Sequence, residues 1–332
     1  MSILAAYVVP HPPLIIPAIG AGRERGIAAT IRAYHETMCA AAALHPDTVV
    51  IISPHATGYD DFFHISPGAG AEGNFAAFGH PEISVGIEYD EDFVRALSAA
   101  AEENEIPAGT LGERDASLDH GTMIPLAFLS EYLEDAAVKF VRIGISGLPA
   151  HMHALLGQCI AATAKKLGRR TICIASGDLS HRLQAGGPNG FAPEGAEFDG
   201  LCSTFMKAGD FLSLLQIPGS YAETAGHCGL NGLWMLAGVL DCTSMESRLH
   251  SYEGLFGVGY AVASFTVTGA DAGHDFAAQL VRSEDEAITD LRASEDAYVC
   301  LARKSIEHYV RTHAYMPLPH ELPRELTESC GG

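Results

Sequence analysis

The chain has 332 residues, 48% of them hydrophobic, 35 of them glycine, with a formal charge of −21. That length and apolar content supply one large or two modest domains with a buried core. The acidic balance argues against nucleic acid and anionic membrane as partners, because both attract a basic surface. No apolar run is long enough to span a bilayer. The N-terminus shows neither a basic n-region nor a cleavage site. The eight cysteines are scattered, without a CxxC pair or zinc-finger spacing, so a reducing cytoplasm is expected.

From the N-terminus, Ile3-Leu4-Ala5-Ala6-Tyr7-Val8-Val9 predicts a strand that ends in Pro10-His11-Pro12-Pro13. An alanine-rich helix is predicted over 23–44, stopped by His45-Pro46, and a strand over 48–52 runs into Ser53-Pro54-His55. The stretch 58–79 reads as loop with short strands, 83–87 alternates as a strand, and 90–104 reads as an amphipathic helix. Strand 138–145, helix 151–167 and strand 171–176 follow, then helices over 196–208 and 229–240. Segments 249–252 and 257–267 read as closing strands.

This β-α-β rhythm predicts an α/β, three-layer fold, a mainly parallel central sheet flanked by helices on both faces. Composition shifts at Gly269-Ala270-Asp271-Ala272-Gly273. The expected organisation is a single catalytic domain over 1–268, a linker over 269–294 and a short helical C-terminal appendage over 295–332. The roughly sixty residues beyond the shift are marginal for an independent core. There, Tyr298, Val299, Leu301, Ile306, Tyr309 and Val310 make an apolar stripe at helical spacing. The stripe is expected to be covered by the catalytic domain or by a second copy, which would make the chain a homodimer.

The chemistry gathers where predicted strands run out. His11, His55 and His181 each stand just beyond one, His181 closing Ser176-Gly177-Asp178-Leu179-Ser180-His181. In open α/β sheets the carboxyl ends of neighbouring strands face one crevice, and imidazole is both the commonest metal ligand and the usual acid/base near neutral pH. His11 and His55, framed by prolines, are read as metal ligands. A third ligand is sought in Glu223-Thr224-Ala225-Gly226-His227-Cys228-Gly229, which offers a carboxylate, an imidazole and a thiol; a helix cap with a buried cysteine is the plainer alternative. Two histidines and a carboxylate with open positions are the ligand set of non-haem Fe(II) oxygenases. Histidine ligands with an open position also suit metal-activated water in a zinc hydrolase.

Asp178 is placed to orient the His181 ring, which suits a general acid/base. Leu118-Asp119-His120-Gly121 is either a helix-capping pair or a catalytic cluster, and Glu253 either a structural carboxylate or a second one for the site. His151 and His153 are read as surface residues, and the remaining histidines as structural or solvent-exposed.

These motifs occur in the same order in class III extradiol ring-cleavage dioxygenases, and over roughly 1–268 the chain resembles the catalytic subunit of protocatechuate 4,5-dioxygenase and the related Memo-like proteins. The residues that carry the resemblance are Pro10-His11-Pro12-Pro13, Ser53-Pro54-His55, Leu118-Asp119-His120-Gly121, the Ser176–His181 segment and Cys228-Gly229. Tyr298-Val299-Cys300-Leu301-Ala302-Arg303 and Leu318-Pro319 look like the opening of an AMMECR-type domain, a fusion typical of the AmmeMemoRadiSam grouping. The resemblance implies Fe(II) at His11 and His55, with zinc, manganese and copper as alternatives. It implies His181 as acid/base, and His120 hydrogen-bonded to substrate or oxygen. Where the dioxygenases carry a ligand glutamate, this chain has His227, with Cys228 beside it; the Memo-like relatives use a cysteine near this place. The expected partners are O2 and a small catechol-like or aminophenol-like substrate. Memo-like redox or protein-modification chemistry and zinc-dependent hydrolysis are the alternatives.

Overall fold

Unbroken apolar runs of four to seven residues cannot show one face to water. In the computed structural model, which describes residues 2–133, 138–187 and 189–317, such runs form the buried centre of a sheet. In chain order, β1 (Ile3–Val9) leads through α1 (Pro17–Gly20) to α2 (Ala28–Ala43), β2 (Thr48–Ser53), β3 (Phe63–His64), β4 (Gly70–Phe75) and β5 (His80–Glu88). Then come α3 (Glu91–Glu103), β6 (Ala108–Gly109), α4 (His120–Ser130), β7 (Lys139–Gly144), α5 (Ala150–Leu167) and β8 (Thr171–Ser176). The chain continues through α6 (Pro193–Ala208), α7 (Phe211–Leu215), α8 (Gly219–Ala225) and α9 (Leu230–Val239). Last come β9 (Thr243–Glu253), β10 (Tyr260–Ala270), α10 (Phe276–Ala293) and α11 (Ala297–Thr312).

The main sheet has six strands in the order β7-β2-β8-β1-β10-β9. β7, β2, β8 and β1 run parallel to one another, and the β9–β10 hairpin adds antiparallel strands beside β1. The hairpin is a consequence of chain length. Only 254–259 join its strands, too few for the crossover that a parallel pair requires. Ala5, Tyr7, Val9, Val49, Ile51, Ile172 and Ile174 share one core cluster with Tyr34 and Met38 of α2 and Phe128 and Leu129 of α4. α5 and α9 form a tight helix pair through two glycines, since a Cβ on Gly238 would overlap the Ala154 carbonyl and one on Gly157 the Met235 carbonyl.

Local chemistry sets the helix ends. Asp90 caps α3 by accepting the Phe93 N–H at 3.1 Å, and Asp119 caps α4 by accepting that of Thr122 at 2.9 Å. The predicted helix over 23–44 begins as a 3₁₀ turn at Arg23–Ile27 and becomes α-helical at Ala28. Glu253 reaches across to that start, its Oε2 accepting the Thr30 N–H and hydroxyl, each at 2.7 Å. Its role is therefore structural.

His153 corrects the surface reading, being fully buried. Its Nδ1 lies 3.2 Å from the Pro149 carbonyl and its ring stands against Phe63 and Trp234. The Pro149 carbonyl, which also accepts the Met152 N–H at 3.0 Å, gives one ring nitrogen a partner, so the imidazole can leave water.

The chain divides into two compact units, Met1–Ala278 and Gln279–Gly332. The stretch 269–294 contains the whole of α10. In the second unit Asp296 caps α11, accepting the Val299 N–H at 2.8 Å, and Arg303 pairs with Glu295 at 2.7 Å and Glu307 at 3.1 Å. Tyr298, Val299, Ile306, Tyr309 and Val310 are exposed. Leu318-Pro319 and the rest of 318–332 lie outside the described residues. No helix among the described residues is long and apolar enough to cross a membrane.

Candidate metal centre

Strand register brings the first two loops together. Val9 of β1 pairs with Ser176 of β8, and Gly177 donates its N–H to the Val9 carbonyl at 2.9 Å. The loop after β1 therefore lies against the loop after β8. His11, 2% exposed, donates its backbone N–H to Asp178 Oδ1 at 2.9 Å, and its Nδ1 lies 2.9 Å from Ser176 Oγ. With the proton on Nδ1, donating to Ser176, Nε2 presents a lone pair. β2 lies on the other side of β8 and delivers His55, whose Nε2 is 3.0 Å from His11 Nε2.

The third loop enters because two glycines let backbones touch. A Cβ on Gly177 would overlap Gly229 Cα, and one on Gly229 would crowd the Asp178 carbonyl. Across this contact Cys228 donates its N–H to Asp178 O at 3.2 Å, and His181 donates its N–H to Gly226 O at 3.0 Å. Cys228 Sγ then stands 3.6 Å from His11 Nε2 and 3.7 Å from His181 Nε2. His227, one residue earlier, is not brought into this cluster. Its ring stacks on Phe198 with centroids 5.3 Å apart, and its Nδ1 accepts the Leu230 N–H at the start of α9.

His120 joins from a fourth direction as the first residue of α4, its ring centroid 4.1 Å from that of His55 and 5.3 Å from that of His11. Phe78 stands beyond it, 36% exposed, with its ring 5.5 Å from that of His120. His181 Nε2 lies 3.8 Å from Asp178 Oδ2, an ion-pair separation, and its Nδ1 is 3.5 Å from Asn189 Nδ2. Donor atoms of His11, His55 and His120 lie within 4.8 Å of one another, as do those of His11, Asp178 and Cys228. His11 is common to both groups. Sequence reasoning did not count His120 and Asp178 among the potential donors, because neither spacing nor patterning reports which helix start or carboxylate oxygen faces the crevice.

Burial sets the charge states. It pushes His11 down to about 3, assisted by the neighbouring His55, and His120 down to about 4. His181 is lowered by burial against the opposing pull of Asp178. Burial raises Asp178 to about 6 and pushes the Cys228 thiol up, Asp178 adding to the latter. Neutral imidazoles are the form that binds a metal, and a cation at Sγ would reverse the effect of burial on the thiol, since a coordinating thiol is deprotonated. Two facing imidazole nitrogens, a thiol and a carboxylate fit a divalent transition metal in their donor chemistry.

With this fold and cluster in view, the comparisons with known proteins give the class. The family model described as the catalytic LigB subunit of aromatic ring-opening dioxygenase matches residues 5–263, and the chain belongs to that family, within the class III extradiol dioxygenase-like superfamily. Protein CA_C1420 of Clostridium acetobutylicum is 30% identical over 335 residues, which cover 99% of this chain and 70% of that protein. The crystal structure of an uncharacterized protein, JW3007 of Escherichia coli K12, aligns with a TM-score of 0.45 at 15% identity, over 79% of this chain and 99% of that one.

Proposed function

We propose that this member of the LigB family is a non-haem Fe(II)-dependent extradiol-type dioxygenase that opens a catechol-like or aminophenol-like ring with O2. The carrying observation is the 3.0 Å approach of His11 Nε2 to His55 Nε2, with the Cys228 thiol and the His181 imidazole beside it. His11, His55 and Cys228 would hold the metal. When bound, it supplies the place where the two adjacent heteroatoms of the ring meet dioxygen.

The protein's own groups do the rest. His181, neutral near pH 7, takes a proton from a ring hydroxyl on its Nε2. Asp178 lies 3.8 Å from that nitrogen and favours the resulting imidazolium. His120 donates a hydrogen bond to the substrate or to the incoming oxygen. The ring carbon–carbon bond beside the diol breaks and each of its carbons gains one oxygen atom, so both atoms of O2 end in the product and no external reductant is required.

The test is anaerobic loading with Fe(II) followed by oxygen-uptake measurement on a panel of catechols and aminophenols. Stoichiometric uptake with a ring-opened product is the expected result. A metal-loaded chain that consumes no oxygen with any member contradicts the reading. Cys228, near the place where the Memo-like relatives use a cysteine, supports a second reading, a Memo-like metal protein in redox or protein-modification chemistry, because thiolate softness changes metal preference and oxygen reactivity. Zinc as the metal that copurifies would favour a hydrolase.

A further inference from the structure

Arg142, at the middle of β7, is 1% exposed and is the largest fully buried side chain among the described residues. A buried guanidinium costs several kcal/mol unless its charge and its donors are answered. Here Nε donates to Ser66 Oγ at 2.7 Å, Nη1 to the Ser117 carbonyl at 2.7 Å and Nη2 to the Asp115 carbonyl at 3.3 Å. The charge is balanced by two carboxylates, with Glu113 Oε2 3.6 Å from Nη2 and Asp119 Oδ2 3.9 Å from Nη1.

Each carboxylate turns its other oxygen to the loop that carries His55. Glu113 Oε1 accepts the Thr57 hydroxyl at 2.8 Å, and Asp119 Oδ1 accepts the Ser53 hydroxyl at 2.5 Å. Ser53 Oγ in turn accepts the His55 N–H at 3.2 Å. Asp119 also accepts the Thr122 N–H and hydroxyl, which fixes the start of α4 and with it His120. A Cβ on Gly121 would crowd Ser53 Oγ, so the Ser53 turn and the start of α4 are in direct contact. One guanidinium thus anchors, through two carboxylates, both segments that present the neighbouring pair His55 and His120, whose ring centroids are 4.1 Å apart.

We infer that Arg142 is a positioning residue for the metal centre. Through Glu113–Thr57 and Asp119–Ser53 it holds His55 and His120 at the separation that metal binding requires. The inference rests on the reading of this cluster as a metal centre, and does not depend on ring opening. Without Arg142 the two carboxylates would repel each other, and the two imidazole-bearing segments would be free to part.

Removing Arg142 outright would leave two half-buried carboxylates without their cation and risk unfolding. The decisive variant is therefore Thr57→Val with Ser53→Ala, which leaves all three charges intact and cuts only the links from the carboxylates to the His55 loop. Arg142→Lys, which keeps the charge and loses the fork, is its companion. Co(II) is the probe, read by titration and by its visible absorption spectrum, with melting of the metal-free chain as the control for fold. Both variants are expected to melt within a few degrees of wild type, to bind Co(II) about 10- to 100-fold more weakly, and to show an altered Co(II) spectrum.

Wild-type affinity and spectrum in the double variant overturn the inference, and so does a loss of affinity that only tracks a loss of folded protein. A wild-type chain that binds no Co(II) overturns both this inference and the proposed function. One that binds metal but consumes no oxygen overturns ring opening alone.

Discussion

His11 Nε2 and His55 Nε2 face each other at 3.0 Å with their ring planes at 80°. They arrive on β1 and β2, which do not pair with each other but flank β8 on either side. The sheet order therefore places two sequence-distant imidazoles over one strand end, and the loop after that strand adds Asp178 and His181. This relationship carries the functional account and several expected outcomes.

The first concerns the choice between neighbours. Cys228→Ser should weaken Fe(II) or Co(II) binding by more than about 100-fold, beyond what loss of an outer-shell partner costs. His227→Gln should leave affinity unchanged and lower stability by about 1 kcal/mol through loss of the α9 cap. Because burial holds the Cys228 thiol protonated, metal binding must release one proton there. His11, held near 3, has none to give. Affinity should rise about tenfold per pH unit between about pH 7 and 8.5, and Cys228→Ser should abolish that slope. The reverse pattern between the two variants would move the ligand to His227.

His181→Gln should keep the metal and lose turnover by about two to four orders of magnitude. Since burial holds the wild-type imidazole below its usual value, the acid limb of kcat/KM should fall below about pH 6.5. Titration of bound iron in the variant checks the assignment. Loss of the metal would make His181 a ligand instead.

His153 gives a stability prediction independent of the metal. Burial lowers it to about 4 in the folded chain, against about 6.5 unfolded, so between those values the unfolded state binds more protons. Its penalty is absent above about pH 6.5 and grows as pH falls toward 4, reaching on the order of 3 kcal/mol. Asp199, raised to about 6 by burial, runs the opposite way: the folded state holds its proton longer, which favours folding below about pH 6. Denaturant melts of the metal-free chain at pH 7 and pH 4.5 should show His153→Gln losing less stability on acidification than wild type. An unchanged difference would mean that His153 is not the group that titrates.

Phe78 is presented by the 3₁₀ turn Ala76–Phe78, which ends at Gly79 in the left-handed region with φ 86°. If an aromatic substrate lies over His120, Phe78→Ala should raise KM about three- to tenfold, the scale of one lost ring contact, and leave kcat and metal affinity unchanged. A fall in kcat with unchanged KM would place Phe78 elsewhere than the substrate wall.

Much of this arrangement was legible in the sequence because it follows from short-range chemistry. Apolar runs ending in Pro-His and Ser-Pro-His mark strands whose carboxyl ends carry imidazoles, and the amphipathic pattern over 90–104 marks α3. What was not legible depends on contacts between distant segments. Whether His227 or Cys228 turns inward is decided by Gly177 meeting Gly229, fifty-two positions later in the chain. His120 opens an apolar helix that could start anywhere until Asp119 is seen holding Ser53. Asp178 reads as the partner of His181 three residues on, whereas one of its oxygens takes the His11 N–H. Arg142 left a visible signal, a single cation inside Phe140-Val141-Arg142-Ile143, but its partners lie in loops that the pattern does not connect.

The measurement closest to the centre of the account is anaerobic Fe(II) titration of the wild-type chain beside the His11→Ala/His55→Ala double variant, with circular dichroism confirming that both are folded. The account predicts one tightly held equivalent in the wild type and none in the variant. A folded double variant that still holds a full equivalent of iron would contradict it.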